Sequence, residues 1–127
     1  MKINVVPLQE VNGIKFGMPR NEVRTILGEA REFKKSKFSR NTTDDFGYCH
    51  VFYDTDNQCV AVEIFSEAEV YISEKKIFPC SISDAMLIIS DLKEDSGSFI
   101  SESQSVGIYA PNGVMESILF GKVDYYK

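Results

Sequence analysis

The chain has 127 residues, 43% hydrophobic and 26% charged, with a formal net charge of −5. That length holds one domain with its own core, and the composition excludes a chain disordered throughout. No apolar run approaches the roughly 18 residues of a membrane-crossing helix. Met1 to Glu10 carries one lysine and a short apolar stretch, without the apolar region or cleavage site of a secretory signal. The expectation is one domain over residues 1–127 in the cytoplasm.

Charge is distributed unevenly. Lys15 to Arg40 holds eight basic and three acidic residues, whereas Asn41 to Glu74 holds eight acids and no Lys or Arg. Such polarity acts on encounter and partner choice rather than on fold.

In chain order, Ile3, Val5, Val6 and Leu8 precede an Asn12-Gly13 turn signal and then Ile14 and Phe16, which suits a short strand or extended lead. In Gly17 to Gly28, Val23, Ile26 and Leu27 share one helical stripe; Pro19 suits the start and Gly28 the left-handed position past the end. Residues 29–45 read as a charged loop, with a short strand at Glu32-Phe33-Lys34. Phe46–Asp54 and Gln58–Phe65, rich in aromatic and β-branched residues, flank Thr55-Asp56-Asn57 and predict a hairpin. Glu69–Ile72 is a third strand. Ser81 to Asp84 opens a helix in the manner of a capping box, and the apolar spacing carries it to about Leu92, where Lys93 to Ser98 ends it. Ser105–Ala110 and Val114–Phe120 surround Pro111-Asn112-Gly113 as a last hairpin.

Tyr53–Phe65 matches Tyr109–Phe120 with one residue deleted, and each follows a helix, so a degenerate helix-plus-hairpin duplication stands beside the ordinary likeness of any two hairpins. The expected fold class is α+β: an antiparallel sheet of about five strands with two main helices packed on one face.

The chemistry-bearing residues are sparse. Cys49, Cys59 and Cys80 form no CxxC pair, and the hairpin places Cys49 and Cys59 out of register, so reduced buried thiols are expected. His50, the single histidine, points away from Cys49 on its strand, which leaves no Cys-His pair. Glu74-Lys75-Lys76, with Asp54 and Asp56 upstream, suggests a metal-dependent nuclease only in a context of adjacent core strands, and reads better as a solvated charge run. Ligand spacing for Zn²⁺ is wrong, and Gly13, Gly17 and Gly28 make no phosphate loop. No cofactor, no metal and no catalytic residue are expected. The basic run Arg31, Lys34, Lys35, Lys37, Arg40 with Phe38 is opposed by the overall negative charge, so direct nucleic-acid binding is not expected; a solvated loop, or a contact with the chain's own acidic half, fits it better.

The acidic stretch reads either as a solubilising sheet face or as a surface for a basic protein. On the second reading the partner-binding residues are Asp44, Asp45, Asp54, Asp56, Glu63, Glu67 and Glu69, with aromatic anchors Tyr48, Phe52, Phe65 and Tyr71.

Gly17-Met18-Pro19-Arg20-Asn21-Glu22-Val23-Arg24-Thr25-Ile26-Leu27-Gly28-Glu29-Ala30 resembles the G-M-[ST]-x-x-E-V-x-x-[IL]-L-G-x-P opening of small binding domains. These include the β-lactamase-inhibitor-protein fold and outer-membrane assembly lipoproteins of the same architecture. Pro19 stands where that pattern has Ser or Thr, Ala30 where it has proline, and the lipobox of the lipoprotein branch is missing. The resemblance implies a helix ahead of a hairpin and a sheet that presents the binding face. The whole chain is also similar in style to the small acidic immunity proteins of bacterial polymorphic and contact-dependent inhibition toxin systems. That likeness implies a cytoplasmic, non-enzymatic inhibitor whose partner is a cognate toxin domain, often a basic nuclease, with no residue-level roles carried over. A secretion chaperone, or a metal-dependent hydrolase or nuclease, is the alternative.

Overall fold

The computed structural model describes residues 1–65 and 67–127. Among them the chain forms thirteen strands and two short helices. In order these are β1 (Lys2–Val6), β2 (Glu10–Val11), β3 (Ile14–Lys15), α1 (Arg20–Leu27), β4 (Arg31–Phe33), β5 (Thr43–Asp45), β6 (Cys49–Tyr53) and β7 (Cys59–Phe65). Then follow β8 (Glu69–Ile72), β9 (Lys75–Phe78), α2 (Ile82–Ile88), β10 (Lys93–Asp95), β11 (Ser98–Ser101), β12 (Val106–Tyr109) and β13 (Ser117–Gly121).

The strands make two sheets, β3-β2-β1-β8-β9 and β10-β11-β12-β13-β7-β6-β5-β4. Both face a shared core: Ile3, Val5, Val70 and Ile77 from the smaller sheet meet Val51, Ile64, Ile108 and Phe120 from the larger one. Each such side chain contributes roughly 1.5–3 kcal/mol on leaving water. The protein is mostly β, which overturns the expected α+β arrangement of two helices on one five-stranded sheet. The physical reason is length. β2, β3, β4, β5 and β10 have two or three residues each, too few to show a period of two, and α2 stops at Ile88 because Ile89 is already extended (φ −123°, ψ 101°). The helices are therefore too short to cover the larger sheet, and the smaller sheet covers it instead.

The order of elements repeats. A short hairpin (β2-β3, then β8-β9), a helix and four antiparallel strands occur twice. The four-stranded sets join edge to edge through β7 and β13, whose five paired positions centre on Glu63 opposite Leu119. An approximate two-fold axis passes there. The repeated unit is thus larger than a helix plus a hairpin, and β1 alone has no counterpart: it lies between the two hairpins, antiparallel to β2 and parallel to β8.

α1 is held at its start by main chain rather than by a side-chain cap. Pro19 offers no cap hydrogen bond, and the Arg20 N–H donates to the Asn57 carbonyl at 2.8 Å, with Gly17 N–H to Cys59 O and Cys59 N–H to Met18 O alongside. The helix is thereby tied to the β6–β7 hairpin. Gly28 closes it at φ 94°, a region that glycine reaches without a Cβ clash. In α2 the Ser81 hydroxyl accepts from the Asp84 N–H at 3.0 Å, an ordinary N-cap.

Candidate functional site

The acidic residues named from sequence divide between two sheets and two faces. Asp44 lies on the core face: Glu32, Asp44, Val51 and Val62 form one row across β4, β5, β6 and β7. Its side chain is fully buried and taken up by two arginines from α1. Arg20 reaches it at 2.8 Å and Arg24 through two contacts of 2.7 and 2.8 Å, while the Tyr53 hydroxyl donates at 3.0 Å. Arg20 also donates to Thr42, Asn41 and Asn57 and lies over the Tyr53 ring. Arg24 pairs with Glu32 at 2.7 Å. Burial would raise the Asp44 carboxyl, but the hydrogen bonds from Arg24, Arg20 and Tyr53 outweigh it and hold the group down at about 2. Hydrogen bonds from Arg24 and then Thr42 likewise hold Glu32 below the ordinary range. Asp44 is a structural anchor between helix and sheet, closed to a partner.

Tyr48 is half-buried against the core, and burial pushes its hydroxyl up to about 12. Asp54 sits at the β6–β7 turn and accepts from the N–H groups of Asp56 and Gln58, with Asp56 exposed beside it. Glu67 and Glu69 are exposed near β8; Glu69 faces Lys76 at 3.5 Å, and Tyr71 lies under the Lys2 ammonium. Glu69 and Tyr71 belong to the smaller sheet, whereas Tyr48 and Asp54 flank β6, the Tyr48 carbonyl accepting from the Phe65 N–H at 3.0 Å and Asp54 lining a surface hollow with Phe52.

What the structure does bring together is Asp45, Phe52, Glu63 and Phe65, on the face of the eight-stranded sheet turned away from the core. One straight row there reads Arg31, Asp45, His50, Glu63, Leu119, Gly107, Ile100 and Lys93. His50 stands between two carboxylates, 3.8 Å from Asp45 and 3.7 Å from Glu63. Edge-on aromatic contacts surround it: Phe33 at 5.0 Å and Phe65 at 4.6 Å between ring centroids. All three polar side chains of this group keep 24–31% of their surface exposed. Phe52 is buried with Ala61 and Leu119 in a second small cluster, under the Lys35 ammonium 4.6 Å from its ring centre.

Part of this face, on both sides of the pairing of β7 with β13, is covered by the segment after β13. Tyr125 and Tyr126 pack on the second cluster, and a Cβ on Gly107 would collide with the Tyr126 hydroxyl, as one on Gly121 would with Tyr125. Glycine at these two positions is what lets the two tyrosines approach the sheet this closely.

Phe33, Lys35 and Tyr126 belong to this face and went unread as site residues. Phe33 carried a signal, its strand-like setting beside Glu32, but the pairing of β4 with β5 across a nine-residue gap did not show in sequence. Among the described residues no group of His, Cys, Asp and Glu has the geometry to hold a metal ion. All three cysteines are free; burial pushes Cys49 and Cys59 up to about 12, which makes poor nucleophiles. Cys59 pairs with Tyr53 and Cys49 with Ile64, a register set by the irregularity between Phe52 and Tyr53. Among the described residues no helix is long and apolar enough to cross a membrane.

Compared with known proteins, the chain matches no family model, no curated protein and no solved structure.

Proposed function

We propose that the protein is a non-enzymatic binding protein of the immunity kind, which neutralises a basic toxin domain by covering it with the outer face of the eight-stranded sheet. The observation that carries this reading is the group Phe33, Asp45, His50, Glu63 and Phe65. It combines partly exposed rings with two carboxylates that lie within 4 Å of His50 and that, among the described residues, no Lys or Arg pairs. Rigid aromatic anchors supply contact area at small entropic cost, and the carboxylates steer a cationic surface and reject an anionic one. The group is held on paired strands rather than loops, so its geometry is set before the partner arrives. The cytoplasm is the compartment this role requires.

The test is capture of partner proteins on the tagged chain at rising salt, with wild type beside an Asp45→Lys/Glu63→Lys variant whose folding is checked by thermal unfolding. A basic domain that is toxic alone, silenced by the wild type and released by salt or by the double variant supports the proposal. Capture unaffected by the charge reversals removes this face from it, and an extended secreted client would move the reading to a secretion chaperone.

A further inference from the structure

Beside the aromatic group, at the two-fold axis of the large sheet, the outer face opens into a cavity of about 220 Å³. Lys35, Glu63, Ile100, Ser117, Leu119 and Tyr126 are among the residues that line it. The volume is below that of a drug-sized ligand site and suits one side chain. Glu63 has spare capacity. One oxygen takes a 3.2 Å hydrogen bond from Ser117 and the other faces His50 at 3.7 Å, and among the described residues no Lys or Arg pairs with it.

We infer that this cavity is the anchor pocket for an arginine or lysine side chain of the partner, an inference that rests on the binding role proposed above. The aliphatic stem lies along Leu119, Ile100 and the Tyr126 ring, and the cationic head meets Glu63. Long basic side chains are suited to a site with apolar walls and a charged end. An anionic tip is repelled by Glu63. A wholly apolar side chain would strip water from that carboxylate without replacing its hydrogen bonds, which is unfavourable. Lys35 is the chain's own cation in the lining, resting on the Phe52 ring, and it opposes the incoming charge. The pocket therefore combines an attractive carboxylate with one weakly repulsive ammonium among the residues that line it.

The experiment is a titration of the full chain with N-acetyl-arginine amide, followed by the NMR signals of the Leu119 methyls and the Gly107 amide, with the citrulline analogue as the neutral isostere. Saturable shifts are expected with arginine and none with citrulline. Glu63→Gln should weaken the probe about tenfold or more, the scale of one lost charge-assisted hydrogen bond. Lys35→Met should strengthen it by roughly threefold, the scale of an exposed charge. Equal binding of arginine and citrulline, or no saturation with either, overturns the inference, as does a Lys35→Met variant that binds more weakly. Should Glu63→Gln fail to fold, the citrulline comparison and Lys35→Met decide. If the probe fails while Asp45→Lys/Glu63→Lys still abolishes capture of the partner, the pocket is lost and the binding face stands; if capture is also unchanged, both fall.

Discussion

The two units share one path and hold it together by different chemistry. Counting outward from the axis on the core side, the first unit's row is Val62, Val51, Asp44, Glu32, and the second's is Ile118, Ile108, Phe99, Glu94. The helices follow suit: α1 opens with Arg20 and carries Arg24 one turn later, where α2 has Ile82 and Met86. Thus the first unit ties helix to sheet by an arginine–carboxylate network, where the second has apolar residues at the same positions, Ile82 and Phe99 partly buried against the core and Met86 exposed. The backbone geometry does not require the ions. What they add is direction, since Asp44 accepts only from donors correctly placed on α1 and β6, whereas Phe99 packs without such demands.

The sharpest way to break the comparison is to remove the acid. Asp44→Ala leaves Arg20 buried without its carboxylate and should cost about 3–5 kcal/mol in urea unfolding, more than Phe99→Ala at a half-buried site. Transplanting the second unit's residues, Arg20→Ile with Arg24→Met and Asp44→Phe, should recover most of that loss. A triple variant no more stable than Asp44→Ala would show that the two units are not interchangeable in packing.

Acid should strike the first unit selectively. The Asp44 carboxyl is held at about 2 against an ordinary 3.8, so its stabilisation is complete above pH 5 and is lost as pH falls through about 2. The loss amounts to roughly 2 kcal/mol by the size of the shift. Hydrogen exchange between pH 5 and pH 2 should therefore open α1 before α2, and the transplanted variant should remove the difference.

On the outer face the asymmetry is the segment after β13, whose Tyr125 and Tyr126 lie across the seam, on Phe52 and Ala61 of the first unit and Leu119 of the second. Gly121→Ala places a methyl group against Tyr125 Cβ and Cγ and should cost about 1–2 kcal/mol in urea unfolding. The smallest effect concerns the caps. Ser81→Ala should cost about 1 kcal/mol by loss of the Asp84 contact, while Pro19→Ala loses no side-chain bond because α1 has none there.

Strong local signals were legible in sequence. Pro19 and Gly28 bracket α1, Asn12-Gly13 turns β2 into β3, Ser81 starts α2, and the aromatic and β-branched runs give β6 and β7. Short polar strands were not. Lys93 to Ser98 has the composition of a helix terminator, yet it contains β10 and the turn at Ser96-Gly97 into β11, whose pairing is decided by neighbours distant in sequence. The site was half legible for a related reason. Asp44 and Asp45 are adjacent and look alike, but on a strand they point to opposite faces, one into the core and one to solvent. The spacing of Arg20 and Arg24 on one side of a helix was the available hint that an acid would be needed inside. The opposed charge excesses of residues 15–40 and 41–74 meet, in part, within this network.

The lone strand β1 has a consequence for synthesis. It is made first and pairs at once with β2, but its other edge waits for β8, just as the free edge of β7 waits for β13. A nascent first unit therefore exposes two unpaired strand edges at the same time, the condition under which chains stick to one another. The β7 edge would meet its like in another copy across the same axis that β13 uses here. Carrying both units in a single chain keeps the matching edge tethered nearby, at an effective concentration that free copies do not reach.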